Sequence, residues 1–191
     1  MRCLLCERLS LAYLCRFCRD RLLAPQPAHR TLSGELTVFS FYGYESIEPL
    51  LQAKYHPFGC RVLRHLARAS LRPFFRDLSL EHPTALIAID DRPGEHFSHT
   101  AVLARHARSR HLPYPPGRLL AQSRVRYAGR DLAFRKAHPR NFTLRPFKEP
   151  SALLIDDVIT TGSTLKEAAG LLEKHQKTVL FAVVLADADR A

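Results

Sequence analysis

Ala152-Leu153-Leu154-Ile155-Asp156-Asp157-Val158-Ile159-Thr160-Thr161-Gly162-Ser163-Thr164-Leu165 decides how this chain is read. Aliphatic residues run into two acids. The run is short and bounded, as for a fully buried parallel strand that ends at Asp156. Gly162 permits a tight turn and a close backbone approach. Ser163 or Thr164 suits the N-cap of a helix running from there to about His175. Strand, loop and helix N-terminus together make an anion site, because free N–H groups point outward and the helix dipole favours negative charge.

The residue types name the anion. Thr160, Thr161, Ser163 and Thr164 set hydroxyls beside free amides, which suits a phosphate. Asp156 and Asp157 would repel that phosphate unless they face sugar hydroxyls or a hard cation such as Mg2+. A ribose 5-phosphate with a metal nearby satisfies both halves. An ordinary strand–turn–helix with a solvated Asp-Asp turn is the alternative, and it needs both motifs to coincide by accident. The stretch resembles the 5-phosphoribosyl-1-pyrophosphate (PRPP) motif of type I phosphoribosyltransferases. That resemblance implies PRPP binding through Asp156, Asp157, Val158, Ile159, Thr160, Thr161, Gly162, Ser163 and Thr164.

Working outward, Thr84 to Ile89 reads as a second buried strand, ending in Asp90-Asp91 and followed by a helix from Ser98 to about Arg110. Ligands gather at the carboxyl ends of strands in a parallel sheet. The loop after Ile89 is therefore a candidate second wall, where a pyrophosphate would lie. Residues 35–44 read as strand, Glu48 to His56 as a helix stub ending before Pro57, and Thr178 to Ala186 as the last strand. Lys54 in the stub reads, on its own, as a solvated surface charge. The fold class expected is α/β with a parallel sheet.

Lys and Arg number 29 against 18 Asp and Glu, a formal charge of +11. Such an excess attracts nucleic acid, anionic membrane or acidic small molecules. Arg61, Arg64, Arg68, Arg72 and Arg76 recur at helical spacing over residues 61–76, opposite Leu63, Leu66, Ala67, Leu71 and Phe74, with Pro73 kinking or ending the helix. They form either a solvated face or a row of guanidiniums spaced for backbone phosphates. Residues 118–148 carry Arg118, Arg124, Arg126, Arg130, Arg135, Lys136, Arg140, Arg145 and Lys148 against Asp131. Tyr127, Phe134, Phe142 and Phe147 are interleaved. A single-strand binder needs charges along the backbone and rings against bases. A cationic flap over the site, with the rings in the core, fits as well.

Cys3-x-x-Cys6 and Cys15-x-x-Cys18 lie in residues 1–23 with eight residues between the pairs. Two such knuckles supply a closed tetrahedral Zn2+ site, structural rather than catalytic. Disulfides are the alternative, and the segment lacks a secretory signal because Glu7 and Arg8 interrupt its apolar region. Cys60 reads as a buried small hydrophobe. Ala24-Pro25-Gln26-Pro27-Ala28-His29 opens a linker, residues 24–34, before the main domain of residues 35–191. No apolar run approaches the length of a membrane span, so a cytoplasmic location is expected.

The whole arrangement resembles the ComF family of bacterial competence proteins. The residues that carry it are the four cysteines, a Lys-bearing segment, the Arg-rich segment with Gln122, Arg140, Asn141 and Phe142, and the loop from Ile155 to Thr164. The resemblance implies a type I phosphoribosyltransferase fold with an N-terminal zinc finger and a role in natural transformation. By position, Lys54 matches a lysine of the family and joins the PRPP residues, with Asp156 and Asp157 as the catalytic pair. It further implies Mg2+ with PRPP, and single-stranded DNA as a partner through Arg61, Arg64, Arg68, Arg124, Arg126, Arg130, Arg135, Lys136 and Arg140. A DNA-translocating ATPase or membrane channel of the uptake machinery is a further implied partner, at the inner membrane without insertion. Transfer of phosphoribose to a nucleobase-like or nucleic-acid acceptor is the enzymatic alternative. Relatives usually carry Arg-Gly-Phe-Asn-Gln where this chain has Glu95-His96-Phe97-Ser98-His99, and only Phe97 is kept.

Overall fold

The computed structural model describes residues 1–90, 96–123 and 140–190. Its main sheet contains β1 (Ala28–Thr31), β2 (Thr37–Ser40), β3 (Tyr42–Gly43), β4 (Thr84–Ala88), β7 (Ser151–Ile159) and β8 (Thr178–Asp187). The order is β1-β2-β8-β7-β4, with β3 pairing β8 beyond the end of β2. Every pairing is parallel except β1 with β2. A separate antiparallel ribbon joins β5 (Leu119–Ala121) to β6 (Phe142–Leu144).

The sheet is covered on both faces, and the period-2 alternation of its strands sorts side chains into two cores. Leu153 and Ile155 of β7, Leu86 and Ala88 of β4, and Val183 and Leu185 of β8 enter one core. The helices α1 (Tyr44–Gln52), α2 (Gly59–Ala69), α3 (Leu71–Arg76) and α4 (His99–Ala107) supply its other wall. Ala152, Leu154, Ala85, Ile87, Ala182 and Val184 point the opposite way. There they meet α5 (Ser163–Lys174), Leu32, Leu36 and the ribbon. Leu153 and Leu154 are both fully buried, so adjacent residues of one strand each contribute about 1.5–3 kcal/mol to different cores.

Several elements depart from the sequence expectation. Strand β7 does not stop at the acids: Asp156, Val158 and Ile159 stay paired with Val184, Ala186 and Asp187 of β8. Continuation of β8 alongside gives those residues ladder partners, and β-branched Val158 and Ile159 suit them. Neither Ser163 nor Thr164 caps α5; Gly162 occupies the N-cap at φ +74°, without a side-chain cap bond. Helix 61–76 is broken at Ser70, whose hydroxyl turns back to the Leu66 carbonyl at 2.8 Å. Pro73 then falls in the first turn of α3, where no N–H is required. The expected linker of residues 24–34 contains β1, which pairs residue by residue with β2.

The N-terminal knuckle is built onto the main body. Cys3, Leu14, Cys18 and Leu23 share the core of α2, and the Tyr13 and Phe58 rings stack at 4.7 Å. Cys60 is half-buried on the first turn of α2 rather than inside the core.

Candidate functional site

Parallel register builds the site. Ala88 of β4 lies beside Ile155 of β7, and the Ile89 N–H donates to the Ile155 carbonyl at 2.9 Å. Counting two residues on from each partner, Asp90 and Asp157 arrive together at the carboxyl edge of the sheet. The backbone turns sharply at Asp90, with φ +47°.

Lys54 meets them there. Its Nζ donates to Asp157 Oδ2 at 2.6 Å, across 103 residues of sequence. The Asp157 side chain is 8% exposed and that of Lys54 19%. Lys54 sits on a tight helical turn, Ala53–Tyr55, that α2 packs against. Gly59 makes that packing possible, because a Cβ there would stand 2.0 Å from the Ala53 carbonyl oxygen. The expected solvated surface charge is therefore a half-buried ion pair at the centre of the site.

Electrostatics distinguishes the two acids. Burial acts to raise Asp157, but the Lys54 ammonium outweighs it, helped by His99, and holds the carboxyl well below the usual range. Asp156 goes the other way: burial and the neighbouring Asp157 charge push it well above the ordinary value. His99 Nε2 lies 4.0 Å from Asp157 Oδ2, and desolvation lowers the imidazole despite that carboxylate. Donor atoms of His99, Asp156 and Asp157 all fall within 4.8 Å of one another. Because Lys54 already answers Asp157, Asp156 is the carboxylate left for a hard cation or a sugar hydroxyl, and the oxygen-rich set suits Mg2+.

The loop from Thr160 to Thr164 follows directly. The Thr161 and Ser163 hydroxyls lie 2.8 Å apart, and the Ser163 N–H donates to Thr161 Oγ1 at 3.4 Å. Gly162 is held against Leu32, whose Cδ1 would stand 2.4 Å from an added Cβ. Small polar side chains, a left-handed glycine and a twelve-residue helix behind them form a cradle for an anion.

A third wall comes from the ribbon. Asp90 Oδ1 accepts the Ala121 N–H at 2.9 Å, and Asp90 Oδ2 lies 3.7 Å from Arg140 Nη1. Glu167 of α5 accepts the N–H groups of Arg140 and Asn141 at 3.0 and 2.7 Å. The base of the ribbon is thus fixed to the sheet edge and to α5 at once. Arg124, Arg126, Arg130, Arg135 and Lys136 lie outside the described residues, as do Asp91 to Glu95. Phe142 is buried and Phe147 partly so, both in the second core. Of the two readings of the aromatic residues, these two rings follow the core one.

Arg61, Arg64, Arg68 and Arg72 are exposed along α2 and α3. No side-chain hydrogen bond or ion pair joins them to another described residue, whereas Arg76 is paired with Asp77 at 2.8 Å.

The four cysteines make a second, separate cluster. Cys3 Sγ and Cys18 Sγ are 3.7 Å apart, and Cys6 Sγ and Cys15 Sγ 3.6 Å. These are not disulfides. They match the edge of a tetrahedron with metal–sulfur bonds of about 2.3 Å. N–H groups of Cys15 and Cys18 donate to Cys3 Sγ and Cys15 Sγ at 3.3 and 3.4 Å, bonds that would stabilise thiolates. Burial acts to raise the Cys3 thiol, but backbone N–H groups of Cys15, Cys6 and Leu5 bring it down to about 6. The cluster could hold a metal ion such as zinc.

Sequence reasoning missed Asp90 and Glu167 as fixed points of the site and His99 as a neighbour of Asp157. The strand–acid pattern at Asp90 was visible. Glu167, one helical turn past Gly162 and facing the Arg140-Asn141 backbone, left no sequence signal.

No family model matches the chain. An orotate phosphoribosyltransferase of Coccidioides immitis (strain RS) is 44% identical over 54 residues, which are 27% of this chain and 23% of that relative. The match spans about a quarter of the relative's length. Among solved structures, adenine phosphoribosyltransferase from Saccharomyces cerevisiae aligns over 90% of this chain and 89% of that one, with 12% identity and a TM-score of 0.42. Orotate phosphoribosyltransferase from Aeropyrum pernix aligns over 90% and 80%, with 18% identity and a TM-score of 0.39.

Proposed function

We propose that the mouth of β7 binds PRPP with Mg2+, and that the chain is a competence factor of the ComF type. Its phosphoribosyltransferase-type domain serves a cytoplasmic step of natural transformation in which single-stranded DNA is handled. The observation that carries the PRPP reading is the pairing of Lys54 with Asp157 beside Asp156, which has no cationic side chain bonded to it among the described residues and whose Oδ1 takes the Asp157 N–H at 2.8 Å, directly ahead of the Thr160–Thr164 cradle. In this reading the ribose hydroxyls donate to Asp156 and Asp157, and the loop amides and hydroxyls hold the 5-phosphate. Mg2+ would be held from the Asp156 side and would neutralise the pyrophosphate. Lys54 supplies a fixed positive charge next to the ring, and Arg140 extends positive charge along the Asp90 wall.

DNA binding is supported by the exposed row Arg61, Arg64 and Arg68, continued by Arg72, which has no acidic partners among the described residues. Affinity for a single strand should fall steeply as salt rises, because each phosphate contact releases counterions. Salt-independent binding would remove this part of the reading.

One observation favours an active transferase. His99, at 38% side-chain exposure, opens towards solvent while facing Asp157, and its depressed basicity leaves a neutral imidazole able to take a proton from an incoming acceptor.

Calorimetric titration with Mg-PRPP, on the wild type and on Asp157→Ala, tests the central claim. Heat of binding in the wild type and none in the variant is expected. Equal binding by both would move the ligand away from β7, and repeating the titration with a short single strand present would reveal coupling.

A further inference from the structure

We infer that the β1–β2 hairpin is a brace for the anion loop, with Arg30 as its positioning residue. This rests on the reading of the Thr160–Thr164 loop as the 5-phosphate cradle. The hairpin touches the loop and its helix with three side chains in succession. Arg30 Nη2 donates to the Thr160 carbonyl, Leu32 packs against the Cα of Gly162, and Ser33 Oγ accepts from Lys166 Nζ. Residue 160 opens the loop, residue 162 is its left-handed turn, and residue 166 lies in the first turns of α5. The hairpin therefore tracks the loop from entry to exit.

Arg30 is not itself a phosphate ligand, because its guanidinium is engaged by the protein. Nε lies 3.1 Å from Asp187 Oδ2, Nη1 donates to Asp189, and Nη2 takes the loop carbonyl. Two consequences follow. Fixing the Thr160 carbonyl towards the hairpin turns the Thr161 N–H, which lies opposite it across the same trans peptide, the other way, where an anion would arrive. Pairing with Asp187 and Asp189 offsets one of the two negative charges that stand at the end of β8, and so weakens their repulsion of a phosphate. A planar fork is needed to reach one carbonyl and two carboxylates at once, which a lysine cannot do.

The hairpin is shaped for this task. Leu32 N–H donates to the Leu36 carbonyl at 2.9 Å, closing a turn in which Gly34 and Glu35 take positive φ of +93° and +64°. Leu32 is thereby driven inward, 8% exposed, onto Gly162.

The test is affinity for ribose 5-phosphate and Mg-PRPP by calorimetry, with amide hydrogen exchange over residues 160–164 in the ligand-free protein. Arg30→Ala should weaken both ligands between about tenfold and a hundredfold, the scale set by a displaced binding group. Arg30→Lys should recover only part of the loss. Exchange across the loop should rise while β4 and the start of β7 keep their protection, which a general loss of stability would not produce. If Arg30→Ala does not fold, Arg30→Lys and Leu32→Ala carry the same readouts. Wild-type affinity and unchanged loop exchange in the variants would overturn the brace and leave the PRPP reading standing. No binding by the wild type would sink the PRPP reading, and unchanged exchange would then sink the brace independently.

Discussion

Two clusters among the described residues could hold a cation, and they are opposites. At the N-terminus four sulfurs converge with no cationic side chain bonded to them among the described residues, two of them buried and two half-buried. At the end of β7 two carboxylates and an imidazole converge, but a lysine already sits on one acid and the other is half-exposed. Four sulfurs without a cationic partner suit a resident ion. An open set with half its charge answered suits something that comes and goes. Residue type alone would have called both metal sites; the partners decide what kind.

The largest effect should come from breaking the four-sulfur set. Cys18 is fully buried in the core that also holds α2, so Cys18→Ser strips a ligand and disturbs that core. A loss of about 4 kcal/mol or more is expected, with bound metal falling to zero by elemental analysis. A strong chelator should lower the melting temperature of the wild type in the same way. A wild type that melts identically with and without chelator would erase the contrast between the clusters.

Breaking the open set should cost slightly less. Lys54→Met leaves Asp157 buried without its partner, for about 3–5 kcal/mol. Lys54→Met with Asp157→Leu should recover most of that, because nothing charged is then stranded. A double-mutant cycle by denaturant unfolding measures the coupling. The same pair sets a pH signature. Asp157 is depressed in the fold, so its contribution is present above the unfolded carboxylate value near 4 and is lost as pH falls below it. Asp156 is raised, so its sign is reversed: its cost appears as pH climbs above about 4, and binding a cation there should release a proton. Titrations in buffers of different ionisation enthalpy count that proton. Asp157→Asn should flatten the acid limb.

Gly162→Ala should cost about 2 kcal/mol from the left-handed backbone alone, with the Leu32 contact adding to it. The smallest change comes from Ser98→Ala, which removes the cap bond to the Ala101 N–H at 3.1 Å that starts the helix bearing His99. About 1 kcal/mol is expected by thermal unfolding.

What was legible follows from how local each signal is. The buried strands at Thr84 and Ala152, the four-cysteine spacing and the acid–hydroxyl loop are written in contiguous residues, and the structure has them. The end of β7 was misread because the acids look like a strand terminus, whereas pairing with Val184 to Asp187 carries the ladder past them. Arg30 was lost in a stretch that prolines made look like linker. Its role depends on Asp187, Asp189 and Thr160, all far along the chain. Lys54 is the plainest case: without Asp157 beside it, a lysine in a helix stub reads as a surface charge, and only the resemblance to a family placed it among the site residues.

Strand β8 sits between β2 and β7, yet it is the last strand of the described chain to be synthesised. Until it emerges, the β1–β2 hairpin has no sheet to join and β7 has a bare inner edge. Growing chains therefore carry two unsatisfied strand edges until Thr178 to Asp187 is made, a hazard for edge-to-edge association. A chain cut before Thr178 would keep the acids, the Thr160–Thr164 loop and all four cysteines in its sequence. It would have no means of bringing Arg30 to Thr160, and the central seam on which both halves close would be missing.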